Sequence, residues 1–75
     1  MKITKLWTGV WSADHDGQNV GGIRAEQPAG GIRQSFVQYE AHFKPSPDSE
    51  GFSYRGTVHG CKRFLNDWSK VMGWA

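Results

Sequence analysis

Residues 51–74, GFSYRGTVHGCKRFLNDWSKVMGW, change hydrophobic period part-way along, and that change constrains the chain more than any other stretch. Phe52, Tyr54, Gly56 and Val58 alternate with Ser53, Arg55, Thr57 and His59, the period of two expected of a strand. Beyond Gly60 the period lengthens. Cys61, Phe64, Leu65, Trp68, Val71 and Met72 recur at helical spacing and form one apolar stripe, with Lys62, Arg63, Asn66, Asp67, Ser69 and Lys70 on the polar side. Gly73 stands where a left-handed residue ends a helix, and Trp74 is placed to fold back on the last turn near Trp68. Gly60 is the expected N-cap, so Lys62 and Arg63 fall in the first turn, where the helix dipole favours anions. Two cations there break a local rule; either both side chains simply point to solvent, at a cost of about 0.3–1 kcal/mol each, or the conflict marks a functional or strained site.

A chain of 75 residues is expected to be a single sheet-plus-helix domain, residues 1–75, close to the lower limit for a self-sufficient core. Four Trp, four Phe and two Tyr offset the small size, so aromatics are expected to supply most of that core. The lone cysteine excludes an internal disulfide and any zinc site built on several thiolates. With no leader-like segment and no long apolar run, the expected compartment is the cytoplasm, of a host cell if the chain is phage-encoded.

Residues 2–13, KITKLWTGVWSA, are rich in β-branched and aromatic side chains and suggest one strand that is apolar on both faces. Ile3, Trp7 and Trp11 share one face, and Leu6 and Val10 share the other. A short chain can hardly bury both, so one row is free for a partner. Residues 14–19, DHDGQN, suggest a polar loop turning at Asp16-Gly17. A second strand over residues 20–26 is weakened by Gly21 and Gly22, and GGIR recurs at residues 30–33, as though the two copies were arms of a glycine-rich hairpin. Residues 33–43 suggest a strand with Val37, Tyr39, Ala41 and Phe43 on one face, and residues 44–50 an exposed loop with two prolines.

These elements predict an α+β fold, an antiparallel three- to four-stranded meander sheet with the C-terminal helix packed on one face. The expected core is Ile3, Trp7, Trp11, Val37, Tyr39, Phe43, Phe52, Tyr54, Val58, Phe64, Leu65, Trp68, Val71 and Met72. The uncovered face is expected to show Leu6, Val10, Phe36, Gln38, Glu40, His42, Arg55, Thr57 and His59.

Chemistry-bearing motifs are sparse. Cys61, between His59 and the pair Lys62 and Arg63, would have a depressed thiol pKa if it stood free at a helix start, yet it also opens the apolar stripe, where an inert buried cysteine belongs. Asp14, Asp16 and Asn19 fail the calcium-loop pattern, because Asn19 and Ala25 stand where glycine and glutamate are required. His15, His42 and His59 have no ligand spacing, so neither metal nor cofactor is expected, and no enzyme activity.

A binding protein is the expected class. The expected contact residues are Arg55, His59, Lys62 and Arg63 at the helix start, with Leu6, Val10 and Phe36 on the open face. Association with a protein partner is the first expectation and includes a homodimer; no membrane is involved. The alternative is a small nucleic-acid-binding module using the same basic cluster and open face, although a net charge of +2 and Glu40 on that face oppose it. In size and in its lack of catalytic motifs the chain resembles the small accessory and inhibitor proteins of bacteriophages and other mobile elements, of which anti-CRISPR proteins are one kind. That resemblance implies occlusion of a host macromolecular complex and assigns no residue a role.

Overall fold

The computed structural model describes residues 1–26 and 38–74. Its architecture is α+β: antiparallel strands β1 (Lys2–Trp7), β2 (Val10–His15), β3 (Gln18–Glu26), β4 (Gln38–Phe43) and β5 (Phe52–Gly56), then helix α1 (Val58–Val71). The strands pair in chain order, β1-β2-β3-β4-β5, and α1 lies on β3, β4 and β5. Phe36, Val37 and the second GGIR copy lie outside the described residues.

The sheet has five strands and not three or four because residues 2–13 form a hairpin. Thr8 and Gly9 make its turn, with Gly9 at φ 77° and its carbonyl accepting the Ala25 N–H of β3 at 2.7 Å. The apparent alternation on both faces is two strands seen end to end. A bulge between Lys5 and Trp7 then shifts the register, so Trp7 stands opposite Val10 and not on the face of Ile3 and Trp11. Trp7 is accordingly outside the core. The Asp16-Gly17 turn is as expected, with both residues at positive φ, 52° and 78°. Its flanks are strand and not loop: Asp14 and His15 pair with Asn19 and Gln18. Asn19 Nδ2 donates to the Gly21 carbonyl at 3.0 Å, and Ser12 Oγ donates to Asp14 at 3.2 Å, so these polar side chains organise the hairpin end.

Register assigns the two faces. Ile3, Ala13, Gly21, Phe43 and Phe52 form one row beneath the helix, and Lys5, Trp11, Ile23, Ala41 and Tyr54 the next. The fully buried side chains are mainly aliphatic: Ala13, Val20, Ile23, Ala41, Phe43, Cys61 and Leu65. Apart from Phe43, aromatics form a shell around them instead of the centre: Trp11, Tyr39, Phe64 and Trp68 are half-buried, while Phe52 and Tyr54, on the edge strand, are exposed and leave the expected core. Phe52 stacks on Trp68 at 4.4 Å, Tyr54 on Phe64 at 5.8 Å, and Trp11 meets Tyr39 edge-on at 5.9 Å. A flat ring in a thin two-layer fold covers the core edge while one rim stays wet.

The helix starts earlier than its apolar stripe indicates. Thr57 is the N-cap, its hydroxyl accepting the Gly60 N–H at 3.0 Å, and the strand period therefore ends before His59. Gly60 sits inside the first turn and makes room for the Tyr54 hydroxyl, which would lie 2.7 Å from an added Cβ. Lys62 and Arg63 thus stand beyond the first turn, and the expected clash with the helix dipole is absent. Thr57→Ala is expected to cost about 1 kcal/mol, read as a lower urea midpoint at unchanged slope.

At the other end the stop is the expected one. Gly73 has φ 78°, its N–H donates to the Lys70 carbonyl at 3.0 Å, and the Trp74 N–H donates to the Ser69 carbonyl at 2.9 Å. The Trp74 ring reaches Phe43 edge-on at 5.8 Å and stacks on His15 at 3.9 Å, joining the chain end to the β2–β3 hairpin. The buried helix face is Cys61, Leu65 and Ser69, flanked by half-buried Phe64 and Trp68. Val71 and Met72 are exposed and leave the expected core, because the helix ends there and the stripe runs past the sheet.

Candidate functional site

The uncovered face carries two rows of contrasting chemistry. Thr4, Ser12, Gly22, His42 and Ser53 form a small polar row. Beside it run Trp7, Val10, Arg24, Glu40 and Arg55. The second row is apolar at the β1–β2 end and charged at the β5 end.

Its charged end is internally matched. Arg24 Nη2 approaches Glu40 Oε1 at 3.4 Å, while Arg55 Nε lies 3.4 Å from Glu40 Oε2 and 3.1 Å from Glu26 Oε1. Each exposed pair contributes about 0–1 kcal/mol, so the network orients side chains more than it stabilises the fold. Two arginines and two glutamates leave no net charge in that group.

The apolar end is open. Trp7 is 66% exposed and Leu6 51%, both beside the bulge, with Val10 half-buried opposite Trp7. The helix makes its main contacts with β3, β4 and β5, away from β1. A large aromatic surface left in water on a chain this small is a costly use of a side chain that the core lacks. The β1–β2 hairpin tip is therefore the strongest candidate contact surface. Leu6 and Val10 were legible as a surplus apolar row. Trp7 was not, because only the bulge turns it outward.

The basic cluster expected at the helix start is spread over three places. Arg55 is on the open face with its glutamates. His59 and Arg63 line a shallow groove with Tyr54, Phe64 and Asp67 on the β5 flank of α1. Lys62 is on the opposite flank, its Nζ 5.3 Å from the centre of the Trp11 ring, which Lys5 also approaches at 5.7 Å. Neither Thr57 nor His59 belongs to the open sheet face; one caps the helix and the other lies in its first turn. Phe36 lies outside the described residues.

Compared with known proteins, the chain matches no family model, and no curated protein or solved structure is significantly similar to it.

Cys61 is fully buried under the helix. Burial raises its thiol pKa, with the Glu40 carboxylate adding to the rise and a backbone hydrogen bond at Gly56 opposing it. The lowered pKa that a helix-start position implied is reversed, because the true first turn lies before Cys61 and the thiol faces the core. Among the described residues no three His, Cys, Asp or Glu side chains gather as metal ligands, and no helix is long and apolar enough to cross a membrane.

Proposed function

We propose that this chain is a small binding protein that acts by covering a surface of a macromolecular protein partner, with the β1–β2 hairpin tip as its principal contact. The observation that carries this reading is the exposure of Trp7 and Leu6 at a bulged, turn-anchored hairpin end. An exposed tryptophan on rigid backbone is the kind of side chain that dominates a protein interface, since it brings a large area at low entropic cost. Val10 and the polar row beside it supply the rim. Such a protein needs no cofactor, and occlusion of a host complex, as by the phage and mobile-element inhibitors it resembles in style, is the corresponding role.

Arg24 and Arg55, whose charges are matched by Glu26 and Glu40, favour a protein surface over a phosphate backbone. The test sets the two apart. Trp7→Ala and Leu6→Asp are expected to weaken partner association by about 2 kcal/mol or more while leaving the far-ultraviolet circular dichroism unchanged. Binding to single-stranded or duplex nucleic acid that falls steeply with salt and depends on Lys62 and Arg63 would support a nucleic-acid module instead.

A further inference from the structure

The two edges of the sheet are protected very differently. β1 carries Lys2, Lys5 and a bulge between Lys5 and Trp7, the devices that discourage another strand from pairing. β5, with the sequence FSYRG, has no lysine, no proline and no bulge, and among the described residues nothing pairs on its outer side. Beside it lie the exposed rings of Phe52 and Tyr54, and Val71, one turn beyond the Trp68 on which Phe52 stacks, is 73% exposed on the helix. A short unblocked edge flanked by apolar surface is built to receive a strand.

We infer that β5 pairs antiparallel with β5 of a second copy, joining two sheets into one across a two-fold axis at Tyr54. That register sets Phe52 of one copy opposite Gly56 of the other, and Ser53 opposite Arg55. The helices meet the same symmetry. Phe52 stacks on Trp68 and Tyr54 on Phe64, so α1 runs antiparallel to β5 and crosses the axis near Phe64. Asp67, one turn further on, then faces the turn bearing His59 and Arg63 of the other copy, and all three line the groove above Tyr54. The charge is self-complementary only in this antiparallel sense.

The inference does not depend on the hairpin contact, but the two combine. The β1–β2 hairpins would stand at the outer edges of a ten-stranded sheet, on the order of 40 Å apart at the usual strand spacing. Two such tips on one rigid body would engage a repeated or symmetric partner with avidity.

Sedimentation equilibrium of the full chain over a wide concentration range tests it. The expected mass is twice 8.4 kDa, dissociating on dilution. Ser53→Lys at the edge and Asp67→Arg on the helix are each expected to abolish the doubled mass with circular dichroism unchanged, and adding Arg63→Asp to Asp67→Arg to restore it. Trp7→Ala should leave it intact. A mass of 8.4 kDa at every concentration overturns the proposal. So does a doubled mass that survives Ser53→Lys or is lost in Trp7→Ala, which would place the contact at the hairpin end.

Discussion

Gly21→Ala is expected to leave little or no folded protein. Gly21 lies in the middle of the sheet, opposite Ala13 on β2 and Phe43 on β4, and is buried. A Cβ there would stand 2.2 Å from the His42 carbonyl oxygen and 3.2 Å from the Phe43 Cα. The obstacle is backbone of the neighbouring strand, so no rotamer change relieves it. Overpacking of a core costs about 1–3 kcal/mol and sometimes more, and a chain of this size has a total margin of only about 3–5 kcal/mol. The measurement is chemical denaturation followed by circular dichroism, with amide dispersion in a proton–nitrogen spectrum as the second readout. Cooperative unfolding at the wild-type midpoint would show that β3 and β4 are not as close as described.

Phe43→Ala is the second large effect and acts in the opposite sense, by leaving a void. Phe43 is 1% exposed and lies where three elements meet. Its ring stacks on Trp68 of α1 at 5.4 Å and takes the Trp74 ring edge-on at 5.8 Å, while Phe52 of β5 is its cross-strand partner. Removing a buried phenylalanine costs about 3–5 kcal/mol, comparable with the whole margin. Trp68 and Trp74 report the event directly, since both lose an aromatic neighbour. Their emission is expected to shift to the red together with loss of cooperative unfolding. A variant that keeps the wild-type midpoint and emission would mean that the C-terminal ring cluster contributes nothing to holding helix on sheet.

The sequence made parts of this fold legible for definite reasons. Residues 52–72 change period, and a period of two followed by one near 3.6 has only one meaning in a short chain. Gly73 and the Asp16-Gly17 pair were legible because each supplies a positive φ that the local geometry requires. The first hairpin was not, since Thr8-Gly9 lies among residues that suit a strand equally well, and nothing local marks the bulge that turns Trp7 outward. Gly21 and Gly22 were misleading in a different way. They lower strand propensity, yet here they permit strand packing: an added Cβ at Gly22 would meet the Trp11 carbonyl at 2.8 Å. The helix start was displaced because Thr57 fits the strand alternation and the cap at once.

The candidate site was legible by half. Leu6 and Val10 stood out as apolar residues with no face to bury them, whereas Trp7 looked like core until the bulge reassigned it. Proximity in sequence suggested one basic cluster from Arg55 to Arg63. The strand-to-helix reversal at Thr57 instead sends Arg55 to the open face and Lys62 and Arg63 to opposite flanks of α1. What the fold leaves exposed is therefore apolar, at the hairpin tip and, separately, on β5 and the helix end.

Paired affinity capture from a lysate of the cells in which the chain naturally occurs tests the hairpin tip as a contact surface most directly, using the full chain and its Trp7→Ala variant as baits with His59→Ala as a surface control. The expected result is a defined set of proteins retained by the wild type and by His59→Ala and lost by Trp7→Ala, with identical circular dichroism for all three baits. Retention of the same proteins at the same level by Trp7→Ala would contradict the hairpin tip as the contact surface.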